Sequence, residues 1–150
     1  MRTFLSFTPP EEKMWVPLEE GVWVWPLSLN FMTGERSEVM RVRKEGWLTR
    51  YSRMGLTHGY VIRGAMRFVE QKQLISEGDF FIEAASQDTS IVMDSDDEMQ
   101  ALYVMGGPTA YMDEGGKIID VEDNKSLLAK LQRHYRAVGE MAYLDRIIVG

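Results

Sequence analysis

Three side-chain types that serve proton transfer lie within the stretch RYSRMGLTHGYVIRG, residues 50–64. The imidazole of His58 can act as a general acid or a general base. Arg53 is a permanent cation that would lower the pKa of a neighbouring histidine and stabilise an enolate or phenolate as it forms. Tyr51 can donate a hydrogen bond to a carbonyl oxygen. Because alternate residues of a strand share a face, Tyr51 and Arg53 are expected to point the same way.

The composition of the 150-residue chain predicts a globular protein, with 45% hydrophobic and 27% charged residues. The net charge of −6 argues against a nucleic-acid partner, because phosphate binding needs clustered positive charge. The chain has no cysteine, which excludes disulfides and thiolate catalysis. No apolar run reaches the roughly 18–20 residues that cross a bilayer, and the N-terminus lacks a long signal-peptide core. We therefore expect a cytoplasmic protein that does not bind membranes.

Turn signals rich in Gly, Asp and Glu recur at short intervals, as in LEEG, MTGE, RKEG, SEGD and DEGG. Between them lie short segments rich in aromatic and branched residues, a pattern typical of an antiparallel sandwich or barrel. The segments DFFIEAA (79–85) and MQALYVMGG (99–107) are almost continuously apolar. They predict strands that are buried on both faces.

The end of the chain departs from this pattern. Asp123 or Asn124 can cap a helix in which apolar residues recur at helical spacing, and Gly139 can end it. The chain is thus predicted to be all-β with one C-terminal helix. The expected limits are one domain over 1–150, a barrel over about 20–120 and a helix over about 123–138.

Two segments resemble the paired motifs of the cupin superfamily. In EGDFFIEAASQDTSIVM (77–93), Gly78 fits the first motif glycine and Thr89 the position of a metal-binding histidine. The stretch from Gly46 to Gly64 resembles the other motif, which carries His-x-His and a third ligand. With GVWVWPLSLNFMTG, HGYVIRG, YMDEGG and LQRHYRAVG, these pieces are similar to cupins of the 2,4'-dihydroxyacetophenone dioxygenase and ChrR-like branch. The resemblance implies a double-stranded β-helix, or jelly-roll barrel.

The resemblance aligns Tyr51, Arg53, His58 and Thr89 with the four positions that hold a divalent metal, usually iron, in that family. One histidine remains among them. Arg53 cannot lose its proton and so cannot ligate, and its charge would oppose that of the metal. We therefore expect no family-type metal site and no cofactor. Glu83 joins the set as a group that could bind substrate or pair with Arg53 in a buried ion pair of purely structural role.

These residues suggest a metal-independent enzyme of the lyase, isomerase, dehydratase or cyclase type. His58, Arg53 and Tyr51 would be catalytic, while Thr89 and Glu83 would bind a carbonyl-bearing aromatic or polyketide-like substrate. One alternative is an iron dioxygenase with an atypical site of His58 with Glu83 or Glu70, and another is a non-catalytic binding protein. Four tryptophans could line a pocket mouth or fill the interface of an expected homodimer; they are Trp15, Trp23, Trp25 and Trp47.

Overall fold

The computed structural model describes residues 2–6 and 9–150. A short 3-10 turn, Glu12–Met14, precedes the first strand. The strands are β1 (Val16–Glu19), β2 (Val22–Asn30), β3 (Arg36–Val42), β4 (Leu48–Arg53), β5 (Thr57–Arg63), β6 (Ala65–Phe68), β7 (Gln73–Ser76), β8 (Phe80–Glu83), β9 (Asp88–Met93), β10 (Met99–Met105), β11 (Thr109–Met112), β12 (Ile118–Glu122) and β13 (Ile148–Val149). Helices α1 (Asn124–Val138) and α2 (Met141–Ile147) lie between β12 and β13.

The strands form two sheets. One has the order β1-β2-β3-β10-β5-β8, with β13 beside β2, and the other has the order β12-β11-β4-β9-β6-β7. Neighbours pair in antiparallel fashion except for β13, which runs parallel to β2. The predicted all-β architecture with a helical C-terminus is confirmed.

Alternate residues of the central strands form the core between the sheets. In β10 the side chains of Met99, Ala101, Tyr103 and Met105 are buried, and their sequence neighbours are partly exposed. β9 shows the same alternation. This two-residue period is the geometric property of a strand, and it decides which side chains enter the space between the sheets.

Strand β8 differs from its prediction. The segment was expected to be buried on both faces, but Phe80 and Ile82 are each 62% exposed while Phe81 and Glu83 are buried. The reason is position, because β8 lies at the edge of the sheet away from β2 and β3, and the core under the helices includes none of its residues. The apolar composition of β8 therefore did not mean that both of its faces are buried.

The helices cover the outer face of the first sheet around β2 and β3 and create a second core there. Helix α1 begins at a capping box made by Asp123 and Ser126 and ends at Gly139, whose φ of 75° is left-handed. Its buried side chains pack with Trp15, Trp25 and residues of α2. The sequence did not predict α2. None of the helices in the described ranges has the length and apolar character needed to span a bilayer.

Candidate functional site

A cavity of about 1000 Å³ lies between the two sheets and opens to solvent. Four aromatic rings and several aliphatic side chains line its walls, together with polar and charged side chains. The aromatic and aliphatic lining residues include Leu18, Met40, Trp47, Tyr51, Ile91, Tyr103 and Tyr111. Size and lining match the usual properties of a small-molecule site, in which a few polar groups orient a mostly apolar ligand.

Strand β4 carries two of the predicted site residues to this cavity. Tyr51 and Arg53 are both buried and both line the cavity, while Ser52 between them is half-buried on the other face. Tyr51 lies opposite Thr89 of β9 and opposite Tyr111 of β11. The same-face placement of Tyr51 and Arg53 follows from the strand period.

Glu83 connects these two residues across the interior. The Tyr51 hydroxyl donates to Oε1 of Glu83, and Nε of Arg53 donates to Oε2 at 3.1 Å. Nη1 of Arg53 also donates to the Thr109 hydroxyl at 2.9 Å. Since Glu83 lies on β8 and Arg53 on β4, this ion pair joins the two sheets. The structure thus brings Tyr51, Arg53 and Glu83 together.

Burial and aromatic contacts determine the charge states at this point. Burial raises the pKa of Tyr51 well above its usual value, so the phenol keeps its proton and donates to Glu83. The Arg53 guanidinium lies 4.3 Å from the Tyr51 ring centroid and 5.0 Å from that of Tyr103. The faces of aromatic rings attract cations, which adds to the carboxylate in holding Arg53 charged.

Thr89 is buried on the inner face of β9, opposite Tyr51. Its hydroxyl donates to the carbonyl oxygen of Gln87 at 3.2 Å. Thr89 therefore lies beside the group formed by Tyr51, Arg53 and Glu83, although its hydroxyl hydrogen bond stays within its own strand region.

His58 lies on the wrong face of its strand for the predicted site. On β5 the residues Thr57, Gly59 and Val61 are buried, and His58 alternates with them. His58 pairs with Ile82 on the outer face of β8, and its ring stacks on the exposed ring of Phe80 at 5.9 Å. The expectation that His58 converges with Tyr51 and Arg53 is wrong, because the inward position belongs to Thr57, one residue earlier.

Three buried charged residues near the cavity were not predicted. Arg36 donates from Nε to Glu38 at 3.4 Å and from Nη2 to Glu122 at 3.2 Å. Arg36 and Glu122 also join the two sheets, since they lie on β3 and β12. Glu122 is opposite Thr109, which in turn is opposite Arg53. The sequence offered a weak signal, because Arg36 and Glu38 lie two residues apart and so share one face of β3.

We call the five charged residues Arg36, Glu38, Arg53, Glu83 and Glu122 the ionic cluster. It holds three carboxyl groups and two guanidinium groups, each on a side chain less than a tenth exposed. Burial raises the pKa of Glu38 to about 7, against the opposing effect of Arg36. Burial therefore favours the protonated form of Glu38 within the cluster.

Comparison with known proteins identifies the family of this chain. The family described as the ChrR cupin-like domain matches residues 6–110, which is more than half of the chain. The chain belongs to the ChrR cupin-like family. No curated protein matches it.

Solved structures with the same cupin fold share little sequence with the chain. An RmlC-like cupin from Ralstonia eutropha JMP134 is 20% identical over 82% of each chain, with a TM-score of 0.76. Acetylacetone dioxygenase from Acinetobacter johnsonii is 14% identical, covering 89% of this chain and 95% of its own, with a TM-score of 0.72. The anti-sigma ChrR of Rhodobacter sphaeroides, solved with SigE, is 18% identical over 61% of this chain and 47% of its own, with a TM-score of 0.52. At these identities the likeness concerns the fold.

The cupin fold implies a divalent metal in many members, and the side chains at the aligned positions do not fit one. Arg53 stays protonated and already pairs with Glu83, and Tyr51 keeps its proton. Thr89 offers only a neutral hydroxyl. Among residues 2–6 and 9–150, no three His, Cys, Asp or Glu side chains group as metal ligands would. A guanidinium and a phenol thus occupy places where hard or borderline ligands would be needed.

The atypical iron site suggested by the sequence is not assembled either. His58 lies on the outer face of its sheet, whereas Glu83 lies on the inner face opposite Thr57. Glu70 follows β6 in the other sheet and accepts a hydrogen bond from the Ser90 amide at 2.5 Å. Neither carboxylate therefore shares a ligand sphere with His58 in this ChrR cupin-like barrel.

The four tryptophans divide between two environments. Trp47 lines the cavity, and its ring nitrogen donates to Glu19 at 2.8 Å. Trp15 and Trp25 belong to the second core. The Arg41 guanidinium carbon lies 4.4 Å from the ring centroid of Trp15 and 4.4 Å from that of Trp23. These cation–π contacts hold the segment after the N-terminal turn to the sheet.

Proposed function

We propose that this cupin binds a small carbonyl-bearing molecule between its sheets and acts on it by metal-independent acid–base chemistry. The single observation that carries the proposal is the hydrogen-bonded group Tyr51–Glu83–Arg53 beside an aromatic cavity of about 1000 Å³. The reaction classes that use such a group are the lyases, isomerases, dehydratases and cyclases. A flat ring or a polyketide-like chain suits the aromatic lining.

The geometry supports distinct roles for the three residues. Arg53 would donate to the substrate carbonyl oxygen and stabilise the enolate as charge develops there. The proton leaving the adjacent carbon would pass to the Tyr51 oxygen while the Tyr51 proton passes to the Glu83 carboxylate. This relay replaces the base role expected of His58, which faces outward. Thr89 remains a proposed binding residue beside Tyr51.

Deuterium uptake by acetophenone tests this chemistry without knowledge of the natural substrate. The methyl hydrogens of this aryl ketone exchange with D₂O through an enolate, and proton NMR follows their loss. We expect the protein to accelerate exchange, and Y51F and R53M to lower the protein-dependent rate at least about tenfold. S52A is the matched control, because Ser52 lies on the same strand but on the opposite face.

The proposal is overturned if the protein leaves the exchange rate at its solvent value, or if Y51F and R53M exchange as fast as the unmodified protein. Folding of each variant is checked by circular dichroism. Accelerated exchange that survives EDTA treatment supports the metal-independent form of the reaction.

The acetylacetone dioxygenase among the similar structures supports a second candidate, an oxygen-consuming reaction on a β-diketone. It is tested by supplying Fe²⁺ and acetylacetone and recording oxygen with an electrode. Iron-dependent oxygen uptake would favour the dioxygenase and contradict the metal-independent proposal. Ligand binding with neither exchange nor oxygen uptake would favour a non-catalytic binding protein. The homodimer and the cytoplasmic location remain predictions.

A further inference from the structure

Carboxyl groups outnumber cationic groups both in the buried ionic cluster and around the rim of the cavity. In the ionic cluster two guanidinium groups face three carboxyl groups. Around the exposed rim three cationic side chains face four carboxylates. These rim residues are Lys44, Arg50, Lys130, Glu19, Asp113, Glu114 and Asp120.

Both guanidinium groups of the ionic cluster are already matched by carboxylates. Arg53 pairs with Glu83 at 3.1 Å, and Arg36 lies between Glu38 and Glu122 at 3.4 and 3.2 Å. Glu122 itself lines the cavity, as do Arg53 and Tyr51. A ligand that enters therefore meets the buried guanidinium of Arg53, which Glu83 already neutralises, and the carboxyl group of Glu122.

Burying an ionised carboxylate is favourable only when a cation receives it. A carboxylate-bearing ligand in this cavity would add an ionised carboxyl group to a cluster that already holds three carboxyl groups against two cations. A neutral carbonyl oxygen carries only a dipole, so it can accept from Arg53 without adding to this imbalance.

We propose that the cavity selects uncharged carbonyl compounds and rejects analogues that carry a carboxylate, with Glu122 as the specificity-determining residue. This inference rests on the proposed function, because it concerns the ligand of the same cavity. It narrows the ligand class from carbonyl compounds in general to neutral ones. Anionic keto acids and aromatic acids would then be excluded as substrates.

The test uses three aryl ketones that share one ring and differ at one substituent: acetophenone, 4-acetylbenzamide and 4-acetylbenzoate. The amide and the carboxylate have nearly the same shape and differ in charge. Isothermal titration calorimetry at pH 8 measures the affinity of the unmodified protein for each ketone. We expect the carboxylate to bind at least about tenfold more weakly than the amide, because specificity is the difference between the two affinities.

Two variants separate the buried charge from the general acidity of the chain. E122Q leaves two carboxyl groups against two guanidinium groups, so the preference for the amide should fall below about threefold. E114Q is the matched control, since it removes an exposed rim carboxylate whose effect water and salt screen. E114Q should keep the full preference.

The outcomes separate this inference from the proposal on which it rests. Equal or tighter binding of the carboxylate overturns charge selection and leaves the cavity as a ketone site. A preference unchanged by E122Q, or removed equally by E114Q, overturns the role of Glu122. Failure of all three ketones to bind overturns the proposed function and charge selection together. The comparison of ketones on the unmodified protein stands even if E122Q does not fold.

Discussion

At the scale of single residues, the buried pair of Arg53 and Glu83 bears on the stability of the barrel interior. Their side chains are 8% and 7% exposed, so each has lost most of its hydration. Buried ion pairs of this kind are costly to form but strongly destabilising to break, because the remaining partner is left as an uncompensated charge. The loss of either partner is therefore expected to destabilise the fold.

Removing one partner should cost more than removing both. E83M is expected to lower the free energy of unfolding by about 3 kcal/mol, because Arg53 loses its counter-charge, whereas R53M/E83M should cost clearly less than R53M and E83M added together. Urea unfolding followed by circular dichroism measures all four proteins. D94N is the control, because the Arg67–Asp94 pair is 41% and 48% exposed and should contribute no more than about 1 kcal/mol. Strictly additive losses would contradict this account.

At the scale of elements, the adjacent strands β5 and β8 shape the inner wall. The Phe81 ring lies over Gly59, so that a Cβ atom at residue 59 would stand 2.0 Å from Cζ of Phe81. The ring also makes edge contacts with Phe68 and Tyr103, at 5.2 and 5.8 Å between centroids. Gly59 thus makes room for an aromatic cluster that backs the cavity.

A methyl group at residue 59 should disturb this cluster. G59A is expected to lower the free energy of unfolding by about 1–3 kcal/mol, the usual cost of overpacking a core. G115A serves for comparison, because the nearest atom to its added Cβ is Oδ1 of Asp113 at 3.4 Å. The double variant G59A/F81L should recover part of the loss, since it removes the clashing ring end. A G59A protein as stable as G115A would show that Phe81 moves freely.

At the scale of the whole molecule, the ionic cluster joins the two sheets and links global stability to pH. The pKa of Glu38 is raised by burial from 4.5 to about 7. Between about pH 4.5 and pH 7 the Glu38 carboxyl group is protonated in the folded protein and ionised in the unfolded chain. Unfolding therefore releases one proton in this pH range. Stability from this group is therefore fully present below about pH 4.5 and is lost as the pH rises through about 7.

The variant E38Q should flatten this dependence. We compare the free energy of unfolding of E38Q with that of the unmodified protein at each pH. This difference should rise in favour of E38Q between pH 5 and pH 8 by at most about 3 kcal/mol, which is the free-energy equivalent of the pKa shift of Glu38. Urea unfolding at several pH values provides the measurement. E35Q changes an exposed carboxyl group on the preceding turn and should leave the slope as it was. A slope for E38Q identical to that of the unmodified protein would place the titrating group elsewhere.

The sequence alone determined those features that depend on local period and capping. Short apolar segments between turn signals indicated an all-β fold, and the Asp123 cap with Gly139 indicated helix α1, because these patterns involve residues a few positions apart. The same strand period indicated that Tyr51 and Arg53 share a face. Motif spacing pointed to the cupin superfamily.

Only the tertiary structure decided which neighbours complete the site. In β5, Thr57 points inward and His58 points outward. A shift of the strand by one residue would exchange these two directions, and the spacing of a motif does not specify that shift. The ionic cluster joins residues as distant as Arg36 and Glu122, 86 positions apart, so no local pattern contains it. Glu83 meets Tyr51 and Arg53 because β8 and β4 belong to opposite sheets. The packing of the two sheets decides which charged side chains meet, whereas the alternation of residues along each strand can be read from the sequence.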